Sequence, residues 1–162
     1  MDWNKITNII LIVAFAVLAV FVILGLYQLI KRKSLKKVDK ELTFMTLPLA
    51  LMATAYLVFD KLIIINTRPN GSGEPSFPST HTMVVATIFF LVAIVLPKYI
   101  KNRAIWIILD LLMLVLLIAV SFGRVLANMH WVTDVIAGLI FAGVFAGIYY
   151  IILRKFGNKK AS

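Results

Sequence analysis

The sequence predicts an all-α fold, a polytopic bundle of about five membrane-spanning helices. Its 162 residues are 62% hydrophobic, and they gather in apolar runs of about 17 to 25 residues, the length that crosses the hydrocarbon core of a bilayer. The chain contains no repeat array, nucleotide-binding loop or low-complexity tail. Residues 1–162 are therefore expected to form a single integral-membrane domain.

Charged residues and turn formers bound the spans. In chain order the predicted segments are approximately 3–30, 42–65, 79–96, 104–120 and 131–153. The first segment is longer than a signal peptide and its basic residues follow it, so it is predicted to remain as a span. No cysteine is present, which excludes disulfides, thiolate metal sites and cysteine nucleophiles.

The basic residues indicate the orientation. The formal net charge is +10, but the place of each charge is more informative than the sum, and no nucleic-acid partner is predicted. Most basic residues fall in the first connection, the third connection and the C-terminus: Lys31, Arg32, Lys33, Lys36, Lys37, Lys40, Lys98, Lys101, Arg103, Arg154, Lys155, Lys159 and Lys160. With five spans these regions share one side, which the positive-inside rule makes the cytoplasm. The N-terminus is predicted outside and the C-terminus inside.

Three of the remaining cations, Lys61, Arg68 and Arg124, fall on the extracytoplasmic side. Between the second and third spans, residues 66–78 carry Arg-Pro, Asn-Gly and further Gly and Pro residues, which predict an ordered loop and not a helix. In the simpler interpretation, Lys61 and Arg124 only reach to the interface and Arg68 is solvated.

The predicted third helix begins with polar residues. Ser79 and Thr80 stand where unpaired backbone amides and the positive end of the helix dipole favour an anion. Ser79 alone would be interpreted as a helix cap. His81 follows directly and favours the functional interpretation.

His130 and Asp134 are four positions apart at the start of the fifth segment. On a helix they share one face, so the carboxylate can accept a hydrogen bond from one ring nitrogen. That bond would fix the tautomer and make the other nitrogen a better nucleophile or base. A structural pair is the alternative, but Arg124 lies close in sequence and adds a cation.

Asp110 lies well inside the fourth segment, where a charge is costly and by default suggests function. It lies about 16 Å along a helix from Ser121, and it is therefore expected not to touch a phosphate bound near the extracytoplasmic side. A structural partner or a protonated acid is expected instead.

Together the clusters resemble the type 2 phosphatidic acid phosphatase (PAP2) family. Its motifs read Lys, six residues, Arg-Pro; then Pro-Ser-Gly-His; then Ser-Arg, five residues, His, three residues, Asp. The matching stretches here are KLIIINTRP at 61–69, PSTH at 78–81 and GRVLANMHWVTD at 123–134. Thr80 replaces the usual Gly and Gly123 the usual Ser, so the pocket is expected to differ in shape while activity survives. Many relatives have six spans, so a sixth, N-terminal span is possible.

The resemblance implies that His130 attacks phosphorus to form a phosphohistidine, that Asp134 orients it, and that His81 protonates the leaving oxygen and later activates water. The implied phosphate-binding groups are Lys61, Arg68, Arg124 and the backbone near Ser79 and Thr80. No cofactor or metal is expected, because Asp2, Glu74 and Asp134 are too few acids on that side for a two-metal cage. One neutral and one protonated histidine predict a bell-shaped pH profile.

The implied substrate is a membrane lipid phosphate or diphosphate. Similar bacterial family members act on undecaprenyl diphosphate, phosphatidylglycerol phosphate, phosphatidic acid or lipid A, and the motifs do not choose among these. The implied location is the bacterial inner membrane, with an extracytoplasmic active site. Two alternatives stay open: a lipid phosphotransferase that passes the phosphoryl group to an alcohol, and a non-catalytic lipid-phosphate binding or transport protein. The oligomeric state is not predicted.

Overall fold

The computed structural model describes residues 1–157, which form a bundle of five long helices. These are α1 (Trp3–Arg32), α2 (Lys40–Leu57, continued by a π-helical turn, Val58–Leu62), α3 (Thr80–Tyr99), α4 (Arg103–Leu126) and α5 (Val132–Ile152, continued by a π-helical turn, Leu153–Gly157). All five are long and apolar enough to cross a membrane. The predicted all-α membrane fold is confirmed. Lys159 and Lys160, counted above among the C-terminal basic residues, lie outside the described residues.

Helices α1, α3 and α4 continue past the C-terminal ends of their predicted segments, whereas α2 with its π-helical turn ends at Leu62, three residues before the predicted end. The largest difference is in α4, which continues to Leu126 and so carries Gly123 and Arg124 in its last turns. Hydropathy falls where the chain leaves the hydrocarbon, whereas the backbone hydrogen bonds of the helix continue beyond that point. The other end of α4 is capped by Asn102, whose side-chain oxygen accepts a hydrogen bond from the Ala104 amide at 3.0 Å.

α3 is the central helix and contacts each of the other four. In its apolar span 67% of the residues are buried, against 17% in α1 and α4. Met83, Ile88 and Leu91 are completely enclosed. The outer helices instead expose apolar side chains such as Ile12 and Ile140, which is the pattern expected where lipid replaces water as the surrounding solvent.

A close crossing joins α5 to the beginning of α3. A Cβ atom on Gly138 would lie 2.9 Å from the Ser79 carbonyl oxygen and 3.2 Å from the Met83 nitrogen. Only glycine allows this approach. As a result the preceding turn of α5 reaches α3 as well, and the Ser79 amide donates to the Asp134 carbonyl oxygen at 2.9 Å.

Polar side chains also tie the helices together at the end of the bundle that contains the α1–α2 and α3–α4 connections, called the basic end below. The Asp39 carboxylate accepts hydrogen bonds from Gln28 at 2.9 Å, Tyr99 at 3.1 Å and Arg32 at 3.2 Å, and Lys98 lies 3.6 Å away. Burial alone raises the pKa of Asp39, but these hydrogen bonds and the charge of Lys98 outweigh it and hold the pKa below its ordinary value.

Asp110 is half-buried and faces α3. It lines a cavity of about 70 Å³ with Phe89, Phe90 and Ala93. Its Oδ1 atom has no hydrogen-bond partner among the described residues, so the expected structural partner for that oxygen is not found within residues 1–157.

Candidate active site

The predicted site residues gather at the end of the bundle opposite the basic end, called the site end below. It consists of the first turns of α1, residues 63–79 between α2 and α3, and residues 127–131 between α4 and α5. The predicted loop folds back on itself, with Thr67 bridged to Pro75 and the Ser76 amide donating to the Asn66 carbonyl at 2.9 Å. The Trp131 indole donates to the Thr67 carbonyl at 2.9 Å. The loop is thereby fixed against the start of α5.

A tight turn after α4 places His130 against Arg124. Asn128 has a φ of 52°, a left-handed conformation that asparagine adopts more readily than most residues. The chain reverses there, and the His130 amide donates to the Arg124 carbonyl at 3.3 Å. The two side chains consequently meet, with Arg124 Nη2 3.4 Å from His130 Nε2.

The His130 ring is almost completely enclosed, at 3% exposure. Its Nδ1 lies 2.7 Å from the Ser76 carbonyl oxygen, and a carbonyl can only accept, so Nδ1 carries the proton. Burial, and then the positive charge of Arg124, lower the pKa of His130 to about 3. At neutral pH the ring is therefore uncharged, with a lone pair on Nε2 that faces Arg124. A neutral imidazole in this tautomer is a competent nucleophile.

Asp134 does not make the predicted bond to His130. Its Oδ2 lies 3.9 Å from Nδ1 and instead accepts from the Trp131 amide at 2.9 Å, where it caps α5. Its Oδ1 is buried without a hydrogen-bond partner among the described residues. The Ser76 carbonyl takes the place predicted for the carboxylate. A main-chain acceptor from a distant loop leaves no signal in the sequence, so Ser76 was missed.

Arg124 is held on both sides. Its Nη1 donates to Asn4 Oδ1 at 2.9 Å and lies 3.4 Å from Thr7 Oγ1, while Nη2 faces His130. The side chain is 3% exposed, and its Nε has no partner among residues 1–157. A fixed guanidinium with an unused donor is suited to bind an anion beside the histidine.

His81 and Arg68 lie beside this pair. His81 Nε2 is 2.9 Å from Asn8 Oδ1. Arg68 forms an ion pair with Glu74 at 2.6 Å and lies 3.6 Å from the Met129 sulfur. Arg68 lines a small recess together with His130 and also lines a larger cavity together with His81. The structure therefore brings His130, His81, Arg68 and Arg124 together, as the sequence predicts.

Ser79 and Thr80 have different positions. Ser79 is completely buried, its hydroxyl is 3.0 Å from the Thr82 hydroxyl, and its amide is bound to the Asp134 carbonyl. Neither group is available to a phosphate, contrary to the sequence-based expectation for Ser79. Thr80 lines both the recess and the cavity. As the first residue of α3, its amide has no acceptor within the helix.

Lys61 does not itself line the recess or the cavity. Its Nζ forms an ion pair with Asp60 at 2.8 Å, and the side chain is 67% exposed. Lys61 lies in the π-helical turn that ends α2, where one extra residue per turn rotates the side chains that follow it. Asp60 instead lines both the recess and the cavity. Asp60 is not among the three acids predicted for this side.

The larger cavity has a volume of about 420 Å³ and lies between α1, α2 and α3. Its polar end contains Asp60, Arg68, Thr80 and His81. Its walls deeper in the bundle are mostly apolar and are formed by Leu11, Phe15, Met52, Ala53, Tyr56 and Val84. Among the residues that the structure describes, no three His, Asp or Glu side chains cluster so as to hold a metal ion.

The fold and the site define a multi-pass helical membrane protein with a buried, cation-lined histidine centre at one end of the bundle. The chain belongs to the PAP2 superfamily, whose family model matches residues 11–158. The match confirms the resemblance that the three motifs indicate.

A solved structure has the same fold. It is the crystal structure of a transmembrane PAP2-type phosphatidylglycerolphosphate phosphatase from Bacillus subtilis, with a TM-score of 0.74 and 21% sequence identity. The alignment covers 99% of this chain and 81% of that one. No curated protein sequence matches this chain significantly.

Proposed function

We propose that the protein is a metal-independent lipid phosphate or diphosphate phosphatase that works through a phosphohistidine on His130. The observation that carries the proposal is the state of His130: a neutral ring with its proton on Nδ1 and an unprotonated Nε2 that accepts from Arg124 Nη2 at 3.4 Å. Binding alone would not require a nucleophile held in one tautomer. Membership of the PAP2 superfamily and the phosphatase of the same fold also support this reaction class.

In the first step, His130 Nε2 attacks phosphorus while the bond to the leaving oxygen breaks and His81 gives that oxygen a proton. Arg68 and Arg124 neutralise the phosphoryl oxygens as charge spreads over them. The ring of His130 becomes positive when the phosphorus–nitrogen bond forms. The nearby Asp134 carboxylate stabilises that charge, although it does not bond to the ring in the free enzyme.

In the second step, His81 takes a proton from water, and the oxygen of that water attacks phosphorus. The phosphorus–nitrogen bond breaks, inorganic phosphate leaves and His130 is neutral again. His81 has then recovered the proton that it gave in the first step, so the cycle is balanced.

The shape of the cavity favours a lipid substrate. The phosphate would lie at the polar end with Arg68 and His81, and the chain attached to it would follow the apolar wall of α1 and α2. Undecaprenyl diphosphate, phosphatidylglycerol phosphate, phosphatidic acid and lipid A share this chemistry. The excess of Lys and Arg at the basic end supports an extracytoplasmic site in a bacterial inner membrane.

The test is phosphate release from this panel of lipids in EDTA, with wild type beside His130→Asn. An asparagine amide can still donate to the Ser76 carbonyl but cannot attack phosphorus, so it isolates the nucleophile. We expect turnover, and an acid-labile, alkali-stable phosphoenzyme, in wild type only.

Equal turnover in the two proteins would refute the phosphohistidine. Phosphate transfer to an added lipid alcohol instead of water would favour the phosphotransferase. Binding without turnover in wild type would favour the non-catalytic alternative.

A further inference from the structure

Three polar side chains form one stripe on the first turns of α1, which is otherwise almost entirely apolar. Asn4, Thr7 and Asn8 are three and four positions apart and share one face of the helix. Uncompensated amides are costly inside a membrane-spanning helix. Each of these three has a hydrogen-bond partner, and all three contact residues of the active site.

The stripe contacts two functional residues on two different helices. Asn8 Oδ1 lies 2.9 Å from His81 Nε2 on α3. Asn4 Oδ1 accepts from Arg124 Nη1 on α4 at 2.9 Å, with the Thr7 hydroxyl 3.4 Å from the same nitrogen. None of these α1 residues lies in the three motifs that indicate the phosphatase family, and α1 was matched from sequence only by its hydropathy.

The packing of α1 on α4 requires a glycine. A Cβ atom on Gly123 would lie 2.7 Å from Thr7 Cγ2 and 3.0 Å from Trp3 Cε3. Those distances are shorter than packed carbon atoms tolerate. The absence of a side chain at position 123 therefore allows Asn4 to reach Arg124. This gives a physical account of the glycine found where serine is usual.

We propose that α1 is part of the catalytic machinery, with Asn8 the positioning residue for His81 and Asn4 the positioning residue for Arg124. The inference rests on the proposed phosphatase function and deepens it. An amide oxygen only accepts, so Asn8 requires a proton on His81 Nε2 and fixes the plane of the ring. With Nε2 held in this way, Nδ1 is the atom that gives its proton to the leaving oxygen, and the acceptor oxygen of Asn8 stabilises the charged ring.

Several charged groups face His81 and act on its protonation together with Asn8. Arg124 comes from α4, Arg68 from the loop and Asp60 from the end of α2, and the neutral His130 lies behind them. A change at Asn8 leaves all four of these groups in place. The effect of Asn8 can therefore be separated from theirs by substitution at that one position.

The experiment measures kcat and KM against pH for wild type, Asn8→Ala and Asn8→Asp, with Ile9→Ala as the control. Ile9 is the neighbour of Asn8 and is 59% exposed on the outer face of α1. For Asn8→Ala we expect kcat to fall about 10- to 100-fold with little change in KM, since only the orientation of the acid is lost. The alkaline limb of the kcat–pH profile should move to lower pH.

Asn8→Asp is the decisive variant. It keeps the acceptor oxygen and adds a negative charge, which holds His81 protonated to higher pH. We expect kcat to be higher than in Asn8→Ala, and the alkaline limb of the kcat–pH profile to lie about one pH unit above that of wild type. If the contact only stabilised the fold, its removal would lower the unfolding temperature and leave the alkaline limb of the kcat–pH profile unchanged.

Three outcomes separate the proposals. If wild type shows no turnover, the proposed function fails. If wild type turns over and both Asn8 variants have the pH profile of Ile9→Ala, the positioning role fails while the phosphatase stands. If Asn8→Ala does not fold, the position of the alkaline limb in Asn8→Asp decides alone.

Discussion

The two ends of the bundle differ in how their buried polar groups are satisfied. At the basic end, the Asp39 carboxylate is surrounded by donors from α1 and α3. At the site end, Ser76 Oγ, Arg124 Nε and Asp134 Oδ1 are buried without a hydrogen-bond partner among the described residues. An unmatched buried polar group costs roughly 1–3 kcal/mol. The basic end is thus a completed structural junction, whereas the site end keeps unmatched polar groups close to His130.

The sharpest test of this difference is the same substitution made at each end. Arg124→Lys should lower kcat about 100-fold, because an ammonium group cannot bind Asn4 and face His130 at once. Arg32→Lys at the basic end is the control, since Arg32 is partly exposed and shares Asp39 with other donors. Phosphate release by the two purified variants checks the prediction. Equal losses of activity would mean that the two ends do not differ in role.

A second test removes the acceptor at the basic end. Asp39→Ala leaves the Gln28 and Tyr99 side chains without their acceptor, and we expect a loss of about 1–3 kcal/mol in the free energy of unfolding. The activity of the folded fraction should remain close to wild type. Thermal unfolding in detergent, paired with the rate per folded molecule, measures both. A large fall in kcat with an unchanged unfolding temperature would contradict the assignment.

The protonation of His130 links stability to pH. Its pKa is about 3 in the folded protein, below the ordinary value of 6.5, so the unfolded chain binds a proton that the folded chain rejects. Stability from this group is complete above pH 6.5 and falls as the pH drops toward 3, with a slope approaching about 1.4 kcal/mol per pH unit.

The measurement is the unfolding temperature between pH 7 and pH 5 for wild type and His130→Asn. The variant lacks the titrating ring, so its curve should be flatter. Parallel curves would show that the ring titrates alike in the folded and unfolded chain. The acid limb of the kcat–pH profile of wild type should likewise lie well below pH 6.5.

The smallest expected effect concerns the contact between α1 and α4. Gly123→Ala places a methyl group against Thr7 and Trp3, and we expect kcat to fall about fivefold as Arg124 shifts. Thr7→Ser removes the methyl that is approached most closely and keeps the hydroxyl. In a double-mutant cycle, the Gly123→Ala/Thr7→Ser variant should therefore recover part of the kcat that Gly123→Ala loses. Strict additivity of the two substitutions would rule out this contact as the cause.

Hydropathy and charge suffice to predict the five helices, because membrane-spanning segments must satisfy their own backbone hydrogen bonds. The positive-inside rule predicts that His130, His81, Arg68 and Arg124 lie on the same side of the membrane. The resemblance to the PAP2 motifs implies that they form one site.

Contacts between elements are what the sequence does not reveal. The Ser76 carbonyl replaces Asp134 as the partner of His130 because the loop is folded over α5. Lys61, in the π-helical turn that ends α2, forms an ion pair with Asp60 and does not itself line the recess or the cavity. The role of Asn4 depends on a helix packing 120 positions away from it in the chain. Each depends on how elements pack, which local patterns do not specify.

That long separation has a consequence for biogenesis. α1 is made first, and the helix that carries Arg124 is the fourth to be made. Chains fold as they are synthesised, from the N-terminus onward. Until α4 arrives, Asn4 has no arginine to bind and the polar stripe of α1 faces an incomplete bundle. The proposed centre can therefore form only after α4 and the start of α5 have been made.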